Sequence, residues 1–385
     1  MKKICFVVDS LFSYGGVQRV TAIIAKALAK DYDVTIVTFD KSLSKDTAYY
    51  DLQEADIQYR FFRYPETGQW KYYCCKIYCA LYRKVLPQNR LTSNWYAHSS
   101  FPSEKRDALA NELKKGNYDV IIGVHAPLAI RLAACKPRLG NAKLIGWIHN
   151  SYEALFGKHS NYIGPELRKH YEFQLEKLNH TIMLSHYDAQ QYHFPTSVIY
   201  NPLTLTPGDI SQGISKKFLA VGRFAHQHKG FDLLIKAFNI FAKSNHEWTL
   251  DIVGEGVEEP LYRQLIEEYH LQDRITIHPF TSHIQDYYSQ AQVYVLSSRW
   301  EGFGLVLVEA MAHGLPIVSS DLPTSKEILG DFGLYFESEN IEQLAQRLED
   351  ATHIDWQQKS KEAIDIAKRF NIDTIIKQWK TIINE

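Results

Sequence analysis

Five cysteines (Cys5, Cys74, Cys75, Cys79 and Cys135) are too few and too irregularly spaced for a disulfide framework or a paired zinc site. Cys75 and Cys79 make at most half of a metal site, and no second half follows. Free thiols in a reducing compartment are therefore expected. No apolar run approaches the ~20 residues of a membrane helix. The apolar run over 4–8 stops at Asp9, too short for a secretory signal core, so a cytoplasmic protein is expected. The net charge of −1 offers no global attraction for nucleic acid. The loop after the first apolar run lacks Gly-x-Gly-x-x-Gly, which removes most support for a dinucleotide-dependent dehydrogenase. No Asp-x-Asp triad is placed for a divalent metal.

What is present reads as two α/β domains. A chain of 385 residues exceeds what one hydrophobic core normally organises. Buried strands are expected over 4–8 and 34–39, with an amphipathic helix over 17–28 between them. This βαβ start implies an open parallel sheet. Further strands are expected over 119–124, 143–148, 181–185 and 197–200. Asn201-Pro202 is a turn signal, and the Pro- and Gly-bearing segment after it marks a boundary at 202/203. A second series has strands over 218–221, 249–253, 275–278, 291–296 and 315–319, and a helix over 231–241. Helical patterns over 341–348 and 360–383 close the chain.

The second half is organised around Ser298-Arg299-Trp300-Glu301-Gly302-Phe303-Gly304-Leu305, which joins a buried strand to a helix over 305–312. Gly302 and Gly304 permit a tight turn. Free amides at a helix start favour an anion, and Phe303, Gly304 and Leu305 are placed to supply them. Glu301 and Glu309, with seven residues between them, do not suit phosphate and instead suit hydroxyls, as on a sugar and a ribose carried by one diphosphate. Arg223 and Lys229 flank a loop at the carboxyl end of another strand, where two cations can neutralise a diphosphate leaving group. Gly254 lies in the turn after the next strand. In the first half, Gly15 and Gly16 precede the first helix. His149 and, more weakly, His125 end strands, where open α/β sheets place ligands.

Glu-Gly-Phe-Gly-Leu-Val-Leu-Val-Glu-Ala-Met, from Glu301 to Met311, resembles the Glu-x7-Glu motif of the family-four retaining glycosyltransferases. Val221-Gly222-Arg223 with Lys229-Gly230, Gly254-Glu255-Gly256 and the Gly15-Gly16 loop are similar to further elements of that family. The resemblance implies the GT-B fold, an α/β architecture of two Rossmann-like domains facing a central cleft. Residues 1–202 would form the acceptor-side domain, a C-terminal helix at about 372–385 would return to it, and 203–371 would bind the nucleotide sugar. Glu301 and His149 would then hold the donor sugar and Glu309 the ribose hydroxyls. Arg223 and Lys229 would meet the diphosphate, which Gly15 and Gly16 would approach from the other domain, and Gly254 would shape the nucleotide pocket. The implied activity is retaining hexosyl transfer, most simply from a UDP-sugar, to a glycan or lipid-linked glycan of a bacterial surface. It needs no metal and no cofactor beyond the donor. A GT-B nucleotide-sugar epimerase and a non-catalytic nucleotide-sugar-binding subunit remain alternatives.

The stretch 60–96 is distinct in composition. It has seven cations against one acid, Glu66, interleaved with aromatics that include Trp70, Tyr72, Tyr73, Tyr78, Tyr82, Trp95 and Tyr96. Cations beside aromatic rings suit an interface with anionic lipid, so peripheral contact with the inner face of the cell membrane is expected here.

Overall fold

In the unit formed by residues 1–202 and 372–385, seven strands pair in parallel. They are β1 (Lys3–Val8), β2 (Asp33–Thr38), β3 (Ile57–Phe61), β4 (Val120–Val124), β5 (Lys143–Trp147), β6 (His180–Met183) and β7 (Ser197–Val198). The order is β3-β2-β1-β4-β5-β6-β7, with Ile4 opposite Val34 on one side and Val120 on the other. Parallel pairs need crossover segments, and helices in those segments cover the sheet faces. That is why β1 and β2 are buried along almost their whole length instead of alternating. This computed structural model describes residues 1–385 except 158–159, 161, 207 and 226–227.

The winding changes direction between β1 and β4, so the loops after these strands open side by side at the carboxyl edge. Between β3 and β4 the chain forms the helices Gln69–Lys84, Arg90–Ser100 and Ser103–Gly116. The unit is completed by the C-terminal helix Ile372–Asn384. Trp379 of that helix is fully buried, its ring 4.8 Å from that of Trp147 and tilted by 75°. Lys2 and Lys143 donate to the carbonyls of Ile383 (3.1 Å) and Ile382 (2.9 Å), two cations at a helix C-terminus where the dipole favours them.

Residues 203–371 form the second unit. Its strands are β8 (Lys217–Val221), β9 (Thr249–Val253), β10 (Ile275–His278), β11 (Val293–Leu296), β12 (Ile317–Ser320) and β13 (Leu334–Phe336), ordered β10-β9-β8-β11-β12-β13. All ladders are parallel. Here the direction changes between β8 and β11, which brings together two loops far apart in sequence.

Two expected elements are corrected. The strand expected over 181–185 ends at Met183, because Ser185 instead caps the short helix His186–Ala189, accepting the Asp188 amide at 3.0 Å. The helical pattern over 360–383 is broken. Helix Trp356–Ala367 runs into a tight turn, Lys368–Phe370, and Asn371 is extended before the last helix begins. Phe370 is fully buried and its carbonyl accepts the Leu203 amide at 2.8 Å, so tertiary contacts fix the break.

Candidate active site

The neighbouring loops after β8 and β11 build the site of the second unit. Gly230 has φ +62°, and a Cβ there would lie 2.0 Å from the Ser297 carbonyl oxygen, so only glycine lets the two loops close on one another. Ser297 Oγ donates to the Lys229 carbonyl (2.8 Å) and the Arg299 amide to the His228 carbonyl (2.8 Å). The Arg299 guanidinium grips both oxygens of Asp232 at 2.9 and 2.8 Å, a bidentate pair that fixes orientation.

This closure delivers Lys229 to Glu301. Their Nζ and Oε1 atoms are 2.6 Å apart, and Ser298 Oγ donates to the same oxygen at 2.6 Å. His228 stands 3.9 Å from the other oxygen, with its ring stacked on Trp300 at 4.9 Å. Glu301 is buried. Burial works against its ionisation, but the charges of Lys229 and His228 and the Lys229 and Ser298 hydrogen bonds hold its carboxyl below the usual range. Arg223 is exposed on the β8 loop. Gly254 lies against that loop, where a Cβ would meet the Gly222 carbonyl oxygen at 1.9 Å, and its own amide is engaged by His278 O at 3.0 Å. Gly254 therefore acts through close approach, not as a donor.

The helix Leu305–Ala312 starts at the same place. Of the two motif glycines, Gly304 takes the left-handed conformation (φ +86°), and no side chain caps the helix start. The Leu307 amide is taken by the Gly304 carbonyl at 2.9 Å, which leaves the amides of Leu305 and Val306 without an intrahelical acceptor. Phe303 is buried, its ring 5.8 Å from Phe370. Glu309 is 2% exposed and accepts from Thr204 Oγ1 (2.9 Å) and Tyr288 Oη (3.0 Å).

Gly15, Gly16 and His149 belong to the other unit. The Gly15 amide donates to Tyr50 Oη at 2.9 Å, and Gly16 opens the helix Gly16–Leu28. His149 follows β5 and is buried, its ring 4.2 Å from Trp147 and 5.3 Å from His125. Burial, and then His125, push its pKa well below the usual value, so the imidazole is neutral at pH 7. Its Nε2 has no hydrogen-bond partner. His125 is held at φ +76°, a conformation non-glycine residues seldom keep without a reason in the surrounding structure.

The structure thus gathers Arg223, Lys229, Gly254, Glu301, Phe303, Gly304, Leu305 and Glu309 in one unit, and Gly15, Gly16 and His149 in the other. Sequence reasoning did not single out Ser298, His228, Tyr288, Thr204 or the Val306 amide. His228, next to Lys229, and Ser298, inside the motif, had a positional signal, whereas Thr204 and Tyr288 had none. Among the described residues no group of three or more His, Cys, Asp or Glu side chains is placed to hold a metal ion.

Comparison with known proteins gives a consistent result. The family described as Glycosyltransferase Family 4 matches residues 14–206, and that described as Glycosyl transferases group 1 matches 211–370. A Haemophilus influenzae protein named as an uncharacterized glycosyltransferase is 28% identical, with 100% of both chains covered. The Erwinia amylovora amylovoran biosynthesis glycosyltransferase AmsD is 29% identical over 46% of this chain and 50% of its own length. Among solved structures, Anabaena Alr3699/HepE in complex with UDP and glucose aligns with a TM-score of 0.74 at 19% identity, covering 100% of both chains. At that identity the likeness shows the fold, two parallel-sheet α/β units of the GT-B type.

Proposed function

The chain belongs to glycosyltransferase family 4, and on that premise we propose that it moves a hexosyl unit from a nucleotide sugar to a glycan or lipid-linked glycan acceptor, with retention of anomeric configuration. The observation that carries the reading is the buried Lys229–Glu301 pair at the start of the helix Leu305–Ala312, with Glu309 inside that helix and Arg223 on the adjoining loop. A Lys ammonium has three donors. One goes to Glu301, and the others remain for a diphosphate.

The chemistry follows from charge. The bond between the anomeric carbon and the diphosphate breaks, leaving negative charge on the diphosphate oxygen. Lys229, Arg223 and the amides of Leu305 and Val306 stabilise that charge as it develops. The acceptor oxygen bonds to the anomeric carbon on the face the leaving group departs from, and its proton passes to the departing diphosphate. Within the unit 203–371, Glu301 holds sugar hydroxyls and Glu309 holds the ribose. The cations make the reading metal-independent, and turnover unchanged in EDTA is the expected outcome. Activity lost in EDTA and restored by Mg²⁺ would contradict it.

UDP is the proposed nucleotide, supported by the UDP complex of the Anabaena protein and by a Streptococcus pneumoniae relative named as a UDP-N-acetylglucosamine–peptide transferase subunit. A bacterial surface polysaccharide as product is supported by the amylovoran relative. No described helix is long and apolar enough to cross a membrane. Peripheral contact at the inner membrane face is proposed through 60–96, supported by the outward side of the helix Gln69–Lys84. Trp70 (87% exposed), Tyr73, Ile77 and Leu81 line that side, with Lys76 and Lys84 beside them.

Calorimetric titration with UDP, GDP and ADP, without metal, tests the donor site, and selective binding of UDP is expected. Product formed from donor alone would favour the epimerase alternative. Turnover that survives Lys229→Ala would remove the proposed machinery.

A further inference from the structure

The first unit holds a second polar site, remote in sequence from the donor machinery. A cavity of about 120 Å³ lies under the helices Gln69–Lys84 and Arg90–Ser100, and its other walls come from Ala126–Cys135 and Arg168–Leu175. At ~30 Å³ per water it has room for about four waters. That is well below the roughly 300 Å³ at which drug-sized pockets begin, and it suits a small polar group. Two guanidiniums line it. Arg83 meets the Tyr96 hydroxyl at 3.3 and 3.2 Å, and Arg131 lies over the rings of Tyr64 and Phe101 at 5.7 and 5.9 Å. Among the described residues no carboxylate lies within ion-pair distance of either, and Glu166 acts on Arg83 only from farther away.

The third wall is His170, fully buried, with no hydrogen-bond partner at Nε2. Gln174 donates into Ser93 Oγ at 3.1 Å, and Ser93 lies 3.0 Å from His170 Nδ1. Either atom can donate in that bond, so Nε2 either donates to an oxygen of a bound group or accepts from its hydroxyl. Burial pushes the His170 pKa down to about 4, so the ring stays neutral at pH 7. Two guanidiniums without a carboxylate partner, beside a buried ring nitrogen without a hydrogen-bond partner, line this small cavity and suit an anion with several oxygens. Arg83 sits on the helix whose outward side carries Trp70, Ile77 and Leu81, so the same helix offers apolar surface and, beside it, an exposed cation that lines the cavity.

We propose that this cavity binds a phosphate monoester or diphosphate group through Arg83, Arg131 and His170. The same chemistry has two sources: the headgroup of an amphiphile whose chains lie along the Gln69–Lys84 helix, or a free inorganic anion. The site does not depend on the donor reading, which UDP titration of the same preparations reports separately.

The test uses the full chain with two probes, inorganic pyrophosphate in calorimetry and flotation with phosphatidylcholine vesicles. The vesicles contain either phosphatidic acid, a monoester, or phosphatidylglycerol, a diester, matched in surface charge. Binding of pyrophosphate, weakened at least tenfold by Arg83→Gln and by Arg131→Gln but not by Lys84→Gln, supports the site with a free anion as source. Preferential capture by phosphatidic acid vesicles with the same variant pattern supports a lipid headgroup. Arg131 also packs on two rings, so each variant is accompanied by a melting curve, and the exposed Arg83 carries the test if Arg131→Gln unfolds. The proposal is overturned by no binding of either probe, by equal capture on both vesicle types, or by equal losses in Arg83→Gln and Lys84→Gln. Anion binding that survives both arginine variants and is lost in Lys229→Ala overturns it as well, because that anion sits at the donor loops.

Discussion

Lys229 and Glu301 neutralise one another at 2.6 Å with little water around them. Removing only the cation strands a buried carboxylate, which costs about 3–5 kcal/mol. Lys229→Ala is therefore expected to lower the denaturation midpoint of the unit 203–371, and Lys229→Ala with Glu301→Gln to recover most of that loss without recovering turnover. Recovery of turnover in the double variant would show that the pair is structural only. Glu309 has a different outcome. Gln keeps its shape but loses the charge, and a charge-assisted hydrogen bond contributes ~1.5–3 kcal/mol, or about ten- to a hundredfold in affinity. Glu309→Gln is expected to weaken UDP binding on that scale with the fold retained, and to lower the melting midpoint as well, because Gln exchanges one of the oxygens that accept from Thr204 and Tyr288 for an amide nitrogen. An unchanged dissociation constant removes the ribose assignment. His170 sets a pH dependence. Its folded pKa lies below the usual 6.5, at about 4, so between those values the unfolded chain binds a proton that the folded chain does not. The associated stability is present above pH 6.5 and is lost as pH falls toward 4, roughly 3 kcal/mol in all. Urea midpoints at pH 7 and 4.5 check this, and His170→Gln should flatten the difference.

At the level of elements, the donor site depends on how closely two loops approach. Gly230 and Gly330 both have positive φ, +62° and +55°, but a Cβ at Gly230 meets the Ser297 carbonyl oxygen at 2.0 Å, whereas at Gly330 nothing lies within 4 Å. Gly330→Ala meets no atom, but at φ +55° and ψ −134° it carries a backbone penalty of about 1–3 kcal/mol. Gly230→Ala adds a clash with backbone that cannot rotate away, so it should cost more and also weaken UDP binding. Equal costs for the two variants would mean that the loops adjust and that their contact does not position Lys229. The helix starting at Leu305 was legible from Gly304 and the apolar run after it, because a turn and its helix are local. The helices over 69–100 were legible only as a basic aromatic stretch. Composition shows that Tyr82 and Trp70 are in one segment. It does not show that Tyr82 is fully buried while Trp70 is 87% exposed.

For the whole molecule, each parallel sheet changes winding direction once and places its loops there, and the chain ends by adding Ile372–Asn384 to the unit in which it began. Trp379 is fully buried against Trp147. Trp379→Ala is expected to cost about 3–5 kcal/mol, read as an earlier melting transition of the unit that contains 1–202. A melt unchanged within error would mean that the helix adds nothing to that unit.

The amino-acid sequence by itself determined the alternation of buried strands and helices, the glycine turns and the spacing of Glu301 and Glu309. All of these arise from interactions within a few residues, where period, backbone freedom and helix starts act directly. Only the tertiary structure decided that Glu309 accepts from Thr204 and Tyr288, that Lys229 meets Glu301, and that the C-terminal helical pattern breaks at 368–371. It also decided that Arg83, Arg131 and His170 line one cavity. Those partners lie from 21 to more than a hundred residues apart. Sheet order and helix packing bring them together, and both follow from burying many apolar faces at once, which no single segment encodes.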